Sequence, residues 1–252
     1  MVAPRGLDGA GAKYATILAW FATQDRSVPA RDGFTDAETT MRGDLAALVL
    51  VASLAAEMLE AQSAGAGRAG PRVLLPRKRE IALARSAAPP AVSRDASVMV
   101  LTERGFEVAT RGTNGVTCVV NRSHPQSLEP HCFDAEASAT VLPMELRRTE
   151  LLRDGKSGEE IDREIAAGLL SGRYRLPRRP AMTYMMSREQ VLYSDEGRNV
   201  GRWHPHLMIY YPHLTPADLG LAGEPSTEAV VVVDEGQAVS SIMIVVKDFT
   251  TP

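Results

Sequence analysis

The apolar segment Leu45–Ala56 constrains this chain more than any other feature, because it decides how much of the chain enters the folded protein. Its 12 residues are too few to cross the hydrocarbon core of a bilayer, which takes about 20 residues as a helix. A charged start, an apolar centre and a small-residue exit are typical of a signal peptide. We therefore predict a signal peptide over residues 41–61. The alternative is a buried amphipathic helix that continues through Glu57 and Glu60.

The rest of the chain divides around this segment. Residues 1–40 precede Met41, where we expect the natural start, and they are predicted to be a non-native or disordered extension. Residues 62–75 are rich in glycine and alanine and are predicted to form a linker. Residues 76–252 form the predicted folded domain, which is long enough to bury a sizeable core.

The charge balance argues against a nucleic-acid partner. The whole chain has 28 Lys and Arg against 31 Asp and Glu, and the part after residue 61 has 23 of each. Proteins that bind phosphate backbones usually show a net positive charge or a long basic face. We therefore expect no nucleic-acid binding, and an envelope component or a small ligand remains open as the partner.

The pattern of strands and helices predicts a single α+β domain with a mostly antiparallel sheet and a helical insert. Apolar residues alternate from Ser97, and Asn114-Gly115 is a strong hairpin signal, so we predict a three-stranded meander over 97–120. A capping box at Ser157 and Glu160 opens the main helix of the insert. Further strands are predicted at Ala181–Met186, Gln190–Tyr193, Leu207–Tyr211, Val230–Val233 and Ser241–Val246.

Cys118 and Cys132 are the two cysteines of the chain. In an exported protein, two cysteines at this spacing predict one disulfide, and closing a loop of 15 residues stabilises a fold by about 3 kcal/mol on the chain-entropy model. Two separate buried thiols are one alternative. A catalytic cysteine is another, because His131 adjoins Cys132, although consecutive side chains of a strand point to opposite faces. The disulfide and the export predictions therefore depend on each other.

The five histidines fall into two segments, and the second suggests a metal site. His204 and His206 share a face if the segment is extended, and His213 or Asp218 could complete three ligands for zinc or another transition metal. A metal-bound water there would be a hydrolytic nucleophile. The alternative is that these histidines form hydrogen bonds in half-buried positions, and in that case the protein has no cofactor.

A second hypothesis is a metal-free acid–base group made of Glu129, Asp134 and His206. The alternative is that Glu129 and Asp134 belong to a turn with a structural role, which Cys132 holds against the sheet. The chain has no His-Glu-x-x-His, Gly-x-Ser-x-Gly or Cys-x-x-Cys motif and no phosphate-binding loop, so no motif decides whether it is an enzyme.

Four segments together resemble a group of uncharacterised exported bacterial proteins over Arg77 to Val246. The segments that carry the resemblance are Gly112-Thr-Asn-Gly-Val-Thr-Cys118, Glu129-Pro-His-Cys-Phe-Asp-Ala-Glu136, Pro205-His-Leu-Met-Ile-Tyr210 and Leu214-Thr-Pro-Ala-Asp-Leu-Gly220. The resemblance implies a secreted bacterial protein, periplasmic or extracellular, but no activity and no site residue.

These observations favour an exported, non-catalytic binding or envelope-associated module. The alternative is a metal-dependent hydrolase or a metal-binding protein that uses the His-x-His pair.

Overall fold

The structure is a computed structural model that describes residues 73–194, 197–221 and 230–250. The predicted extension and signal peptide lie outside the described residues, as does the linker up to residue 72. Across the described ranges, no helix combines the length and the hydropathy that a bilayer crossing requires.

Five α-helices and ten strands make up the described part of the domain. The helices are α1 (Arg77–Arg85), α2 (Pro90–Ser93), α3 (Ala135–Thr140), α4 (Leu142–Arg153) and α5 (Gly158–Leu170). The strands are β1 (Ser97–Thr102), β2 (Gly105–Thr110), β3 (Thr117–Asn121), β4 (Glu129–Phe133), β5 (Ala181–Met185), β6 (Leu192–Tyr193), β7 (Asn199–Gly201), β8 (His206–Tyr210), β9 (Val230–Val233) and β10 (Ser241–Val245).

Eight of these strands form one sheet in the order β2-β1-β3-β4-β5-β8-β10-β9, and β6 pairs with β7. Every neighbouring pair in the large sheet is antiparallel except β1 and β3. Helices α3, α4 and α5 lie between β4 and β5 in the chain. The predicted α+β class, with a mostly antiparallel sheet and a helical insert, is confirmed.

The predicted meander is wrong at its third strand. β1 and β2 form the expected hairpin, but β3 pairs with β1 in parallel, on the side away from β2. The connection passes around the start of β1 so closely that a Cβ atom on Gly112 would lie 2.2 Å from the backbone nitrogen of Ser97. Asn114 accepts a hydrogen bond from the Val116 amide and donates one to the Val92 carbonyl. The Asn-Gly pair therefore shapes a crossover instead of a two-residue hairpin.

The helices cover the two faces of the sheet. Helix α1 packs on β1, β3 and β4, where Leu83 and Ala84 meet Val98, Val120 and the cysteines in a fully buried cluster. On the opposite face, α3 and α4 cover a second buried cluster around Val119, Phe133, Ala137, Val141, Leu142 and Ala181. The middle strand β4 is buried at all five positions because helices lie on both sides of it.

Cys118 and Cys132 lie directly opposite each other on β3 and β4. Their Cα atoms are 4.0 Å apart and their sulfur atoms 1.99 Å apart, so the pair is at bonding distance. The predicted disulfide agrees with this geometry. Both side chains have no exposed surface and face α1.

The predicted capping box at Ser157 and Glu160 is confirmed by its hydrogen bonds. The Ser157 hydroxyl accepts a hydrogen bond from the Glu160 amide, and the Glu160 carboxylate accepts one from the Ser157 amide, which together make the capping box of α5. A short 3-10 helix, Pro216–Leu219, begins after Thr215, whose amide and hydroxyl both donate to the Asp218 carboxylate. Gly220 ends it with φ +70°, a conformation that glycine adopts without strain.

Candidate functional site: a cavity between the sheet and the helices

A cavity of about 490 Å³ lies between one face of the sheet and helices α4 and α5. Ligand sites for small molecules usually enclose about 300 to 1,000 Å³ and have apolar walls with a few polar groups. The apolar walls here include Met144, Ile161, Ile165, Trp203, Met208 and Met243. The polar groups include Asn121, Glu129, Glu145, Arg148, His206 and Tyr210, with His131 beside them.

Strand alternation explains which side chains reach the cavity. On β4, Glu129 and His131 face the cavity, and Cys132 faces α1 on the other side of the sheet. On β8, His206, Met208 and Tyr210 face the cavity by the same rule.

The strand register places His131 and His206 in one row across the sheet. Cys132 pairs with Tyr184 on β5, so His131 stands opposite Met185 in the same register. Met185 in turn pairs with His206 on β8. The two imidazoles therefore flank Met185 on the cavity face.

Among the described residues, His131 is the one side chain with two buried polar atoms that lack a hydrogen-bond partner. It is 7% exposed, and neither Nδ1 nor Nε2 has a hydrogen-bond partner. Burial, together with a smaller effect of the nearby His206, lowers its pKa to about 3, so the ring is neutral at physiological pH. A neutral imidazole offers one donor and one acceptor, and each costs about 1 to 3 kcal/mol when it is buried without a partner. A group that binds beside His131 and satisfies both atoms would recover this free energy.

His206 is held in one tautomer by the backbone. Its Nδ1 lies 2.6 Å from the carbonyl oxygen of His204. A carbonyl only accepts hydrogen bonds, so Nδ1 carries the proton and Nε2 carries the lone pair. Burial lowers the pKa of His206 to about 4, against the opposing effect of this hydrogen bond. The ring also meets the edge of Trp203.

Glu129 is the third titratable group at this end of the cavity. Its Oε1 accepts hydrogen bonds from the amide and the hydroxyl of Ser123, and neither bond uses Oε2. Burial raises the pKa of Glu129, although the two Ser123 bonds oppose this effect. We call Glu129, His131 and His206 the buried end of the cavity; all three are less than a tenth exposed.

The opposite side of the cavity is charged and nearer to solvent. Arg148 on α4 forms an ion pair of 2.7 Å with Asp162 on α5, and Glu145 lies 4.0 Å from the same guanidinium group. These three side chains are 28% to 37% exposed. The Asn121 amide donates to Glu145. The more exposed polar side chains of the cavity therefore lie on α4 and α5.

The structure does not bring together the four residues of the predicted metal site. Only His206 lines the cavity; His204 is exposed, because β8 begins at His206 and the strand alternation does not extend back across Pro205. The Nδ1 atom of His213 donates to the Gly236 carbonyl, and Asp218 accepts hydrogen bonds from Thr215. Among the described residues, no group of three or more His, Cys, Asp or Glu side chains is arranged to hold a metal ion.

Two of the three residues in the acid–base hypothesis do line one cavity. Glu129 and His206 are both at its buried end, but Asp134 is the N-cap of α3. The Asp134 carboxylate accepts hydrogen bonds from the Ala137 amide at 2.7 Å and the Met182 amide at 3.0 Å. Asp134 therefore has a structural role, at a helix start that was not predicted from the sequence. His131 does line the cavity, and its spacing from Glu129 places both side chains on one face of a strand.

The fold and the cavity define an α+β domain with a partly open cavity between a sheet and a helical layer. Comparison with protein-family models, curated proteins and solved structures finds no match to this chain.

Proposed function

We propose that this protein is an exported binding module that holds a small, largely apolar molecule in the cavity between the sheet and helices α4 and α5. The observation that carries the proposal is the cavity itself, whose volume of about 490 Å³ and apolar walls suit a small molecule. Several methionines in those walls, among them Met144, Met208 and Met243, support adaptable packing, because the unbranched thioether side chain fits irregular shapes.

Acid–base catalysis in the same cavity is supported less well. A general base works best when its pKa lies near the working pH. The pKa values of about 3 for His131 and about 4 for His206 make both imidazoles poor proton acceptors at neutral pH. Binding therefore accounts for the buried end better than proton transfer does.

Export is supported by three observations of different kinds. The apolar segment Leu45–Ala56 has the length of a signal-peptide centre, the cysteines lie at bonding distance, and the resemblance is to exported bacterial proteins. N-terminal sequencing of the protein recovered from its native compartment tests this part. A new N-terminus near residue 61 is the expected result, and a retained Leu45–Ala56 segment would contradict it.

Binding is tested with a neutral apolar fluorophore, N-phenylnaphthylamine, titrated into the full chain. We expect a saturable fluorescence increase with one site per chain. Met208→Trp fills the cavity and should weaken binding at least about tenfold, because one large side chain removes much of the apolar contact surface.

Val108→Trp is the matched control for this substitution. Val108 is 50% exposed on the edge strand β2, away from the cavity, and the variant should bind the fluorophore like the unaltered protein. The proposal fails if the fluorophore does not bind, or if Met208→Trp and Val108→Trp bind it equally well.

A further inference from the structure

The buried end of the cavity contains hydrogen-bonding groups but disfavours charge. His131 offers one donor and one acceptor that no protein atom uses, and His206 presents the lone pair of Nε2. Both side chains are more than nine-tenths buried, and both line the cavity. A ligand that reaches this end therefore meets two neutral imidazoles that can give one hydrogen bond and accept others.

An anionic head group would lack a cation to pair with at this end. The two arginines of the cavity lining are engaged elsewhere: Arg122 pairs with the buried Glu80 and donates to the Val120 carbonyl, and Arg148 pairs with Asp162 on the exposed side. An anion beside His131 would lose its hydration without an opposite charge, which costs several kcal/mol.

Binding of a cationic head group at the buried end is disfavoured as well. Glu129 is the one acidic side chain at the buried end, and burial raises its pKa, which disfavours the carboxylate that a cation would need. Its Oε1 already accepts two hydrogen bonds from Ser123. An uncharged group avoids the much larger desolvation cost of an ion and can still form a hydrogen bond with His131.

We infer that the ligand is an apolar molecule that ends in an uncharged hydroxyl, as a phenol or an alcohol does, and that His131 binds this hydroxyl. A hydroxyl both donates and accepts, so it can accept from the ring N–H of His131 or donate to the lone pair of the other ring nitrogen, and neither atom has a partner in the protein. This inference rests on the proposed function, because it names the ligand class of the same cavity.

Four probes with one apolar body and different head groups test the inference. They are para-hexylphenol, hexylbenzene, para-hexylbenzoate and para-hexylbenzylamine, each used to displace N-phenylnaphthylamine from the full chain at about pH 7.5. We expect the phenol to bind at least about tenfold more tightly than the hydrocarbon and than either ion, since it gains a hydrogen bond to a buried imidazole that has no partner in the protein.

His131→Phe tests whether the imidazole carries this preference. Phenylalanine keeps a ring at the site but has no hydrogen-bonding atom, so the ratio of phenol to hydrocarbon affinity should fall to about one while hexylbenzene still binds. His206→Phe should leave most of the ratio in place, because Met185 stands between the two rings in the strand register. A ratio between two probes reports on the site even when a variant changes overall stability, and bound hexylbenzene shows that the cavity is intact.

His124→Phe is the matched control. His124 is also buried, stacks on Tyr193 and does not line the cavity, so this variant should keep the full preference. Equal binding of phenol and hydrocarbon, or tighter binding of the benzoate or the benzylamine, overturns the inference and leaves the binding function standing. If none of the probes and no fluorophore bind, the binding function fails as well.

Discussion

Glu80 on α1 and Arg122, the residue after β3, bring opposite charges to within 3.5 Å at a point where neither side chain has any exposed surface. Glu80 also accepts a hydrogen bond from the Leu101 amide, and Arg122 donates to the carbonyl oxygens of Val120 and Asn121. Burial raises the pKa of Glu80, and Arg122 opposes this change. The pair fastens α1 to the sheet on the side of the disulfide.

Glu80→Met should lower the free energy of unfolding by about 3 to 5 kcal/mol, because it leaves the Arg122 charge buried without a counter-charge. Methionine has a similar length, so the loss is mainly electrostatic. Urea unfolding measures the effect, and the double variant Glu80→Met with Arg122→Met should recover part of it. Glu107→Met is the control, because Glu107 forms an exposed ion pair with Arg104 that water and salt screen, so its loss should change stability little. Equal losses for Glu80→Met and Glu107→Met would contradict the prediction.

Removal of the cysteine pair should lower stability by about 3 kcal/mol, the amount expected for a loop of this length. The unaltered protein, unfolded in urea with and without a reductant, should show this difference. A double variant, Cys118→Ala with Cys132→Ala, should unfold at the same urea concentration under both conditions. A reductant effect that persists in the double variant would show that the cystine is not its source.

The buried histidines should make the fold sensitive to acid. The unfolded pKa of a histidine is about 6.5, and His131 in the folded protein has a pKa of about 3. The unfolded state therefore takes up a proton as the pH falls below 6.5 and the folded state does not, so stability is lost in this range. Between about pH 7.5 and 5, His131 should account for a loss of about 2 kcal/mol.

The measurement compares the pH dependence of urea unfolding between proteins. Glu80 and Glu129 act in the opposite direction, because their raised pKa values let the folded state bind protons more readily, so the total change alone does not isolate His131. His131→Phe should lose about 2 kcal/mol less than the unaltered protein over this pH range. Parallel curves for His131→Phe and the unaltered protein would disprove the assignment.

Chelation distinguishes the binding module from the metal-binding alternative. If the ligand is organic, protein purified without a histidine tag should contain far less than one equivalent of zinc, copper or iron. Its thermal unfolding should also be unchanged by EDTA. A stoichiometric metal that is lost in His206→Phe would replace the proposed function with the metal-binding one.

Local patterns predicted much of the fold. Strand β9 has the predicted limits, and β5, β8 and β10 differ from the prediction by single residues at their ends. Alternation and capping are properties of short segments, so they can be predicted without knowing which strands and helices lie next to the segment. Which strand a segment pairs with depends on distant parts of the chain. The Asn114-Gly115 signal predicted the turn correctly, but it predicted that β3 pairs with β2, whereas β3 pairs with β1.

The cavity could be predicted only in part. Glu129 and His206 were named together, yet 77 positions separate them along the chain, and only the strand order shows that they share a cavity. His131 could have been predicted from the sequence as a residue of the cavity. Side chains alternate along a strand, so His131 faces the same way as Glu129 and the opposite way from Cys132. Asp134 was misjudged because its position before Ala135-Glu136-Ala137 is that of a helix N-cap.

His131 and Cys132 are consecutive residues of β4 that serve opposite sides of the sheet. The cystine links this strand to β3 on the face of the sheet that α1 covers, and the imidazole lies on the opposite face, in the cavity. Oxidation of the thiols would therefore also stiffen the strand that carries the ring of His131. Under the proposed function, a reduced chain would hold a ligand in the cavity less firmly than an oxidised one, so that binding would strengthen once the cystine has formed.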